Sequence, residues 1–253
     1  MKKESNKKFL LSELVKREFI KRYKRTALGQ LWNVLSPLLL LLVMDTVYSY
    51  LFYKSAHYTV FLFSGYIQYN FFNAATSNTL KIFQGNAHIF NKIRVNKLDF
   101  VIANNASNII TYFIMLAIFL VFMLLDGLRI TPTTVLLLYP MLCQIVMAYA
   151  VGILIATIFV FFQDMKYIYP LVMRIMMYMS AVFYNPSILP ETLQKLLWLS
   201  PIYPSIFFFR EVALENKVPS LVIWLYLAVM SLATLGVSLI LFRKTEKKFY
   251  LYV

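Results

Sequence analysis

Charge is what this sequence has least of. Only 14% of its 253 residues are Asp, Glu, Lys or Arg, while 60% are hydrophobic; an ordinary soluble domain is roughly 25% charged and about 45–50% apolar. The mean hydropathy is +0.68. So little polar surface cannot cover a water-soluble body of this size. Cysteine is nearly absent as well: Cys143 stands alone in an apolar run, which excludes disulfides within the chain and thiolate metal sites. The two histidines, His57 and His88, are isolated and have no metal-ligand spacing. No GxxxxGK[ST] loop is present to cradle a nucleotide, nor an HExxH motif, nor a nucleophile with its base. The chain also shows no duplicated halves of the kind common in secondary carriers.

What remains is a membrane protein. A spanning helix needs ~20 mostly apolar residues, and the runs at about 31–52, 58–79, 99–125, 134–162, 167–184 and 221–242 meet that requirement. The expected fold is therefore an all-α integral membrane protein with six transmembrane helices, a single domain over 1–253 with no room for a separate soluble catalytic domain. Trp32 opens the first span, and Tyr48, Tyr50 and Tyr53 close it, as interfacial aromatics do. The fourth run is longer than a bilayer core of ~30 Å requires, so a bend is expected, with Pro140 as the break. Ala148, Gly152 and Ala156 in it form a small-residue stripe that permits close helix approach. Asp126, Gly127 and Pro132 mark a turn. Residues 185–219 carry Pro186, Pro190, Pro201, Pro204 and Pro219. That region is too broken to span and too apolar for a free loop, so a re-entrant or surface-lying helix pair is expected.

The net charge of +14 does not point to nucleic acid, because the basic residues sit beside apolar runs, where sorting and anionic lipids place them. Before the first span, Leu11, Leu14, Val15 and Phe19 form a helical stripe, and Lys16, Arg17, Lys21, Arg22, Lys24 and Arg25 cover the other faces. Over 9–28 this reads as an amphipathic helix lying in the membrane surface, or as a basic topogenic tail. The charged stretch Met1–Lys8 leads into that amphipathic segment and does not read as a cleaved signal peptide. Six spans put nineteen basic residues on the side of the termini and five on the other, namely Lys54, Arg129, Lys195, Arg210 and Lys217. Both termini are accordingly expected in the cytoplasm.

The stretch Arg22–Pro37, RYKRTALGQLWNVLSP, resembles the start of permease subunits in type-2 ABC exporters, of the branch that moves O-antigen, capsule or teichoic acid. Arg22, Lys24, Thr26, Leu28, Gly29, Trp32 and Pro37 carry that likeness. Phe63-Ser64-Gly65 with Tyr69-Asn70-Phe71-Phe72 extends it, as do Gln163-Asp164, Ser180-Ala181-Val182-Phe183-Tyr184, Leu189-Pro190 and Ser200-Pro201. Ser200 stands where Asn often precedes the proline, and Gln163 where Arg is common. The resemblance implies a non-catalytic permease that pairs with a second copy of itself and with two copies of a cytoplasmic ATPase. The assembly would move a lipid-linked glycan across a bacterial inner or plasma membrane. It implies no cofactor in this chain, with ATP and Mg on the ATPase. It also implies a coupling helix at 84–97, with Gln84, Ile89, Phe90, Lys92, Ile93 and Arg94 meeting the ATPase. By the residues alone Ile89, Phe90 and Ile93 fall on one side of a short amphipathic helix, with an ordinary solvated loop as the other reading. Arg22, Lys24, Arg25 and Gly29 fall in the interfacial helix. A secondary carrier, or an exporter of a smaller substrate such as a lipid or drug, is the alternative.

A glycan path needs flat apolar faces for sugar rings and hydroxyl-bonding groups at their edges. Aromatics make up 17% of the chain, and the path is assigned to Trp32, Asp45, Tyr48, Tyr50, Arg174, Tyr178 and Tyr184; an interfacial belt or plain packing is the other use of such rings. Asp45 and Arg174 are charges within spans, and such charges face a cavity or a partner. Arg174 either lines the path near a phosphate or acidic sugar, or snorkels or pairs structurally. The Asn-rich ends of spans two and three read as interhelical packing or as a polar vestibule.

Overall fold

The computed structural model describes residues 12–17, 31–51, 57–90, 92 and 95–251, and every regular element among them is helical. Helix α1 is Trp32–Leu51, α2 Tyr58–Thr79, α3 Ile82–Gly85, α4 Ala87–Phe90 and α5 Lys97–Leu125. A 3-10 segment, Pro132–Leu137, leads into α6, Leu138–Phe161, followed by α7, Met165–Met179. A second 3-10 turn, Pro186–Ile188, precedes α8, Glu191–Leu197, and α9, Tyr203–Ala213. The last helix is α10, Leu221–Thr245, with a terminal 3-10 turn at Glu246–Leu251. Three of these, Lys97–Leu125, Pro132–Phe161 and Leu221–Phe249, are long and apolar enough to cross a membrane.

Two helices form the interior. Helix α2 is buried around most of its circumference, with Val60, Leu62, Phe63, Ile67, Phe71 and Phe72 all inside; a helix apolar on every side is stable only inside such a body. The spanning stretch of α6 is 61% buried, against 28% for α5 and 22% for α10, so the latter two are outer helices. Helix α10 packs along α6, and α2 packs on both α5 and α6. The small-residue stripe is the seam: Ala148 and Ala156 are fully buried, and a Cβ on Gly152 would lie 3.2 Å from Thr79 Cγ2.

Local signals account for the helix ends. Asn96 caps α5, its side-chain oxygen accepting from the Leu98 N–H at 3.1 Å. Helix α5 ends at the expected Asp126-Gly127 turn, where Asp126 Oδ2 meets His57 Nδ1 at 2.8 Å and ties that end to the start of α2. The fourth run bends slightly earlier than expected. The change from 3-10 to α-helix falls at Leu137–Leu138, which leaves Pro140 in the first turn, where its missing N–H costs no hydrogen bond. Helix α7 stops at Met179, five residues short of the expected 184, because the carbonyls beyond it take side-chain donors from elsewhere in the fold.

The Asn-rich ends of α2 and α5 are bonded to each other in part, while Asn70, Asn78 and Asn108 also line a cavity. Asn104 Nδ2 donates to Thr79 Oγ1 at 2.8 Å, and Asn78 Nδ2 reaches Asn108 Oδ1 at 3.4 Å. At the same end a second apolar cluster gathers Leu14, Ile82, Phe83, Phe100, Phe242 and Phe249. Residues 12–17 are helical, with Leu14 buried in that cluster and Arg17 donating to Asn86 at 3.3 Å.

Candidate functional site

Arg22, Lys24, Arg25 and Gly29 lie outside the described residues, as do Ile93 and Arg94 and the side chains of Tyr48 and Tyr50. Among the described residues of the segment expected as one coupling helix over 84–97, Gln84 and Gly85 end the single turn α3, α4 is a second single turn, and α5 starts at Lys97. Asn86 makes the break: its Nδ2 donates back to the Ile82 carbonyl at 2.8 Å and takes the place of a continuing turn. Gln84 is half-buried, Lys92 is exposed, and Ile89 and Phe90 pack on the second cluster, where Phe90 meets Phe100 edge-on at 5.0 Å.

The path residues are distributed over two ends of the molecule. Trp32 lines a cavity of about 260 Å³ between α1, α2 and α5, together with Ser36, Asn70, Asn78, Asn108 and Thr111. Asp45 accepts from Thr59 Oγ1 at 2.8 Å, which ties α1 to the start of α2. Among the described residues no ion pair joins Asp45 to Arg174; Arg174 is exposed on α7. Tyr178 is also exposed there, and the half-buried Tyr184 donates its hydroxyl to the Tyr178 carbonyl at 2.8 Å. Helix α7 buries only Tyr169 and Met173, one turn apart, and presents Tyr167, Ile168, Leu171, Val172 and Ile175 outward with Arg174.

The most strongly fastened polar group is one the sequence reading missed. Arg210, counted above only among the basic residues on the side away from the termini, is buried inside the helical body on α9. Its Nη1 donates to the Ala181 carbonyl and its Nη2 to the Val182 carbonyl, both at 2.9 Å. Weaker bonds run from Nη2 to the Phe61 carbonyl at 3.4 Å and from Nε to Ser64 Oγ at 3.3 Å, and the guanidinium lies 3.5 Å over the Phe61 ring. Burial pulls its pKa down, yet a guanidinium stays a cation at neutral pH.

Around it the chain is held at every neighbouring point. Tyr58 donates to the Phe183 carbonyl at 2.9 Å, and the Ser180 and Ser200 hydroxyls meet at 2.7 Å. Ser200 Oγ also accepts from the N–H groups of Ile202 at 3.2 Å and Tyr203 at 3.4 Å, doing at the head of α9 what an Asn side chain would do. Gly65 is required by close approach: a Cβ there would stand 2.8 Å from Arg210 Nη2 and 3.0 Å from the Val182 carbonyl oxygen. Ser64-Gly65 and Ala181-Val182, from two of the segments that carried the resemblance, thus converge on one guanidinium, and Ser200 of a third holds the same turn through Ser180. That convergence was the available signal, and it needed the third dimension to be read.

Comparison with known proteins agrees with this architecture. The family model described as ABC-2 type transporter matches residues 10–214. The O-antigen export system permease protein RfbA of Klebsiella pneumoniae is 23% identical over 244 residues, covering 95% of this chain and 93% of the relative. The polysialic acid transport protein KpsM of Escherichia coli is 24% identical over 248 residues, covering 95% of each. The capsule polysaccharide export inner-membrane protein CtrC of Neisseria meningitidis is 24% identical over 207 residues, covering 80% of this chain and 78% of the relative. With the family model spanning 10–214 of the 253 residues, this chain belongs to the ABC-2 type transporter membrane family.

Proposed function

We propose that this chain is the membrane subunit of an ATP-driven exporter that moves a lipid-linked polysaccharide, of the O-antigen, capsule or teichoic acid kind, from the cytoplasmic to the outer side of a bacterial inner or plasma membrane. The observation that carries the reading is alignment over 95% of the chain with permeases named for O-antigen and polysialic acid transport. In this arrangement α1, α2, α5, the 132–161 segment, α7 and α10 are six spans with both termini cytoplasmic. The segment 9–28 lies in the membrane surface, and α8 and α9 form the re-entrant pair.

A second copy of the chain covers the outward face of α7. Arg174 supports this, because a charge at mid-membrane costs at least ~2.5–3.5 kcal/mol against lipid and is placed against protein or water instead. Two copies of an ATPase, carrying ATP and Mg, dock on the cytoplasmic segment 84–97; the chain has no phosphate-cradling loop of its own. Trp32, Asp45, Tyr48, Tyr50, Arg174, Tyr178 and Tyr184 line the path between the copies.

The test is purification of the tagged chain in gentle detergent from its native membranes, with mass spectrometry of what accompanies it. An ATPase with a Walker A motif at a one-to-one ratio, lost when Gln84–Lys97 is scrambled, is the expected result. Deletion of the chain is expected to abolish surface polysaccharide while lipid-linked glycan accumulates inside the cell. Recovery of the chain alone, with normal surface polysaccharide in the deletion strain, would overturn the proposal.

A further inference from the structure

Beside the buried guanidinium opens a second cavity, of about 410 Å³, between the 186–188 turn, α8 and α9. It lies within one protomer, apart from the outward face of α7. One wall is aromatic: Trp198 packs against Phe207 at 5.2 Å and against Tyr203 at 5.3 Å between ring centroids. Polar groups line the cavity beside the rings, with Glu211 one turn after Phe207 on α9 and Gln194 one turn before Trp198. Glu211 Oε2 is buried there with no hydrogen-bond partner among the described residues. Burial, with Glu215 nearby, pushes the Glu211 pKa up. Gln194 has its Nε2 committed to the Leu189 carbonyl at 2.8 Å, which leaves its amide oxygen as a further acceptor.

Buried polar atoms are normally paired, so an orphaned carboxylate oxygen marks a place where a donor belongs. A metal ion fits poorly, because the other carboxylate of the cavity, Glu215, is already bonded to Lys217 Nζ at 2.7 Å. Water alone would satisfy Glu211 but gives the adjoining rings nothing to cover. The missing ligand has hydroxyl donors on its edge and a flat, C–H-rich face, and the volume falls within the range of about 300–1,000 Å³ for small-molecule pockets. Those are the properties of a short run of sugar rings.

We infer that this cavity is a saccharide-binding site in each protomer, in which Trp198 and Phe207 take the face of a sugar ring and Glu211 accepts hydroxyl donors from its edge. The inference rests on the polysaccharide reading above and adds to it a holding point built on α8 and α9, separate from the span-lined path. Arg210 closes the floor of the site through its bonds to Ala181 and Val182.

The test uses the permease–ATPase complex in detergent, titrated with oligosaccharides released by mild acid from the surface polysaccharide of the source cell. Trp198 fluorescence and equilibrium dialysis are the readouts. The intact complex is expected to bind saturably. Glu211→Gln preserves shape and removes a charged acceptor, and is expected to weaken binding roughly tenfold or more. Phe207→Leu keeps apolar volume and removes the ring, and is expected to weaken it about threefold to tenfold. Both variants should keep the melting temperature of the parent complex, which separates lost binding from lost folding. Absence of saturable binding by the intact complex, or equal affinity in all three proteins, would overturn the inference. Where deletion of the chain abolishes surface polysaccharide but the variants still bind like the parent, this site fails while the export reading stands. Normal surface polysaccharide in the deletion strain sinks both.

Discussion

The two ends of this molecule are held together in opposite ways. At the end that carries Arg210, one guanidinium, a tyrosine hydroxyl and a pair of serines bind three consecutive carbonyls and the head of α9, and the bonds of Arg210 and Tyr58 span 28 to 125 residues. At the other end two single helical turns rest on a phenylalanine cluster, with fewer directional bonds, among them Arg17 to Asn86 and Asn104 to Thr79. Directional hydrogen bonds in a dry interior fix a geometry, because leaving any of these groups unpaired costs about 1–3 kcal/mol. Packing of a few rings fixes a surface with much less demand on register.

That contrast can be broken at the Arg210 end first. Arg210→Met is expected to destabilise the protein by about 2–4 kcal/mol, since the buried carbonyls of residues 181 and 182 lose their donors while the desolvation of a charge is relieved. Thermal unfolding in detergent measures it, and Arg210→Lys should rescue little, because an ammonium lacks the fork that spans two carbonyls. Next comes Gly65→Ala. Its Cβ must displace the Arg210 guanidinium or the Val182 carbonyl, so about 1–3 kcal/mol is expected by the same assay.

Arg174→Gln separates stability from transport. The side chain is exposed on α7, so the melting temperature should hold while surface polysaccharide falls at equal expression; full export would remove Arg174 from the path. The smallest structural effect belongs to the other end. Lys92→Glu, at an exposed position, should alter stability by no more than about 0.5 kcal/mol yet reduce recovery of the ATPase with the chain. Loss of folding there, with the ATPase still bound in proportion, would erase the contrast between the ends.

Much of the fold was legible along the chain. Helices α5, α6 and α10 announce themselves by long, mostly apolar runs bounded by Asn96, by the Asp126-Gly127 turn and by the basic residues Arg243 and Lys244. The proline-broken region 185–219 was expected as a helix pair, and α8 and α9 are two short helices. The coupling segment was expected as one helix because Ile89, Phe90 and Ile93 share a face; the break came from a single side-chain bond of Asn86, which no periodicity contains. The burial of Arg210 was missed for a related reason. A count of basic residues assigns a side of the membrane and says nothing of depth in the fold, and the acceptors of this guanidinium lie 28 to 149 residues away.

Composition and hydrophobic run length by themselves determined that this protein lives in a membrane and is built of helices, because lipid leaves the backbone no partner but itself. Only the tertiary structure decided which charge is buried, which glycine must have no side chain, and which carboxylate oxygen faces an aromatic cavity. Those properties depend on distances between segments far apart in the chain, and burial energies are set by those distances.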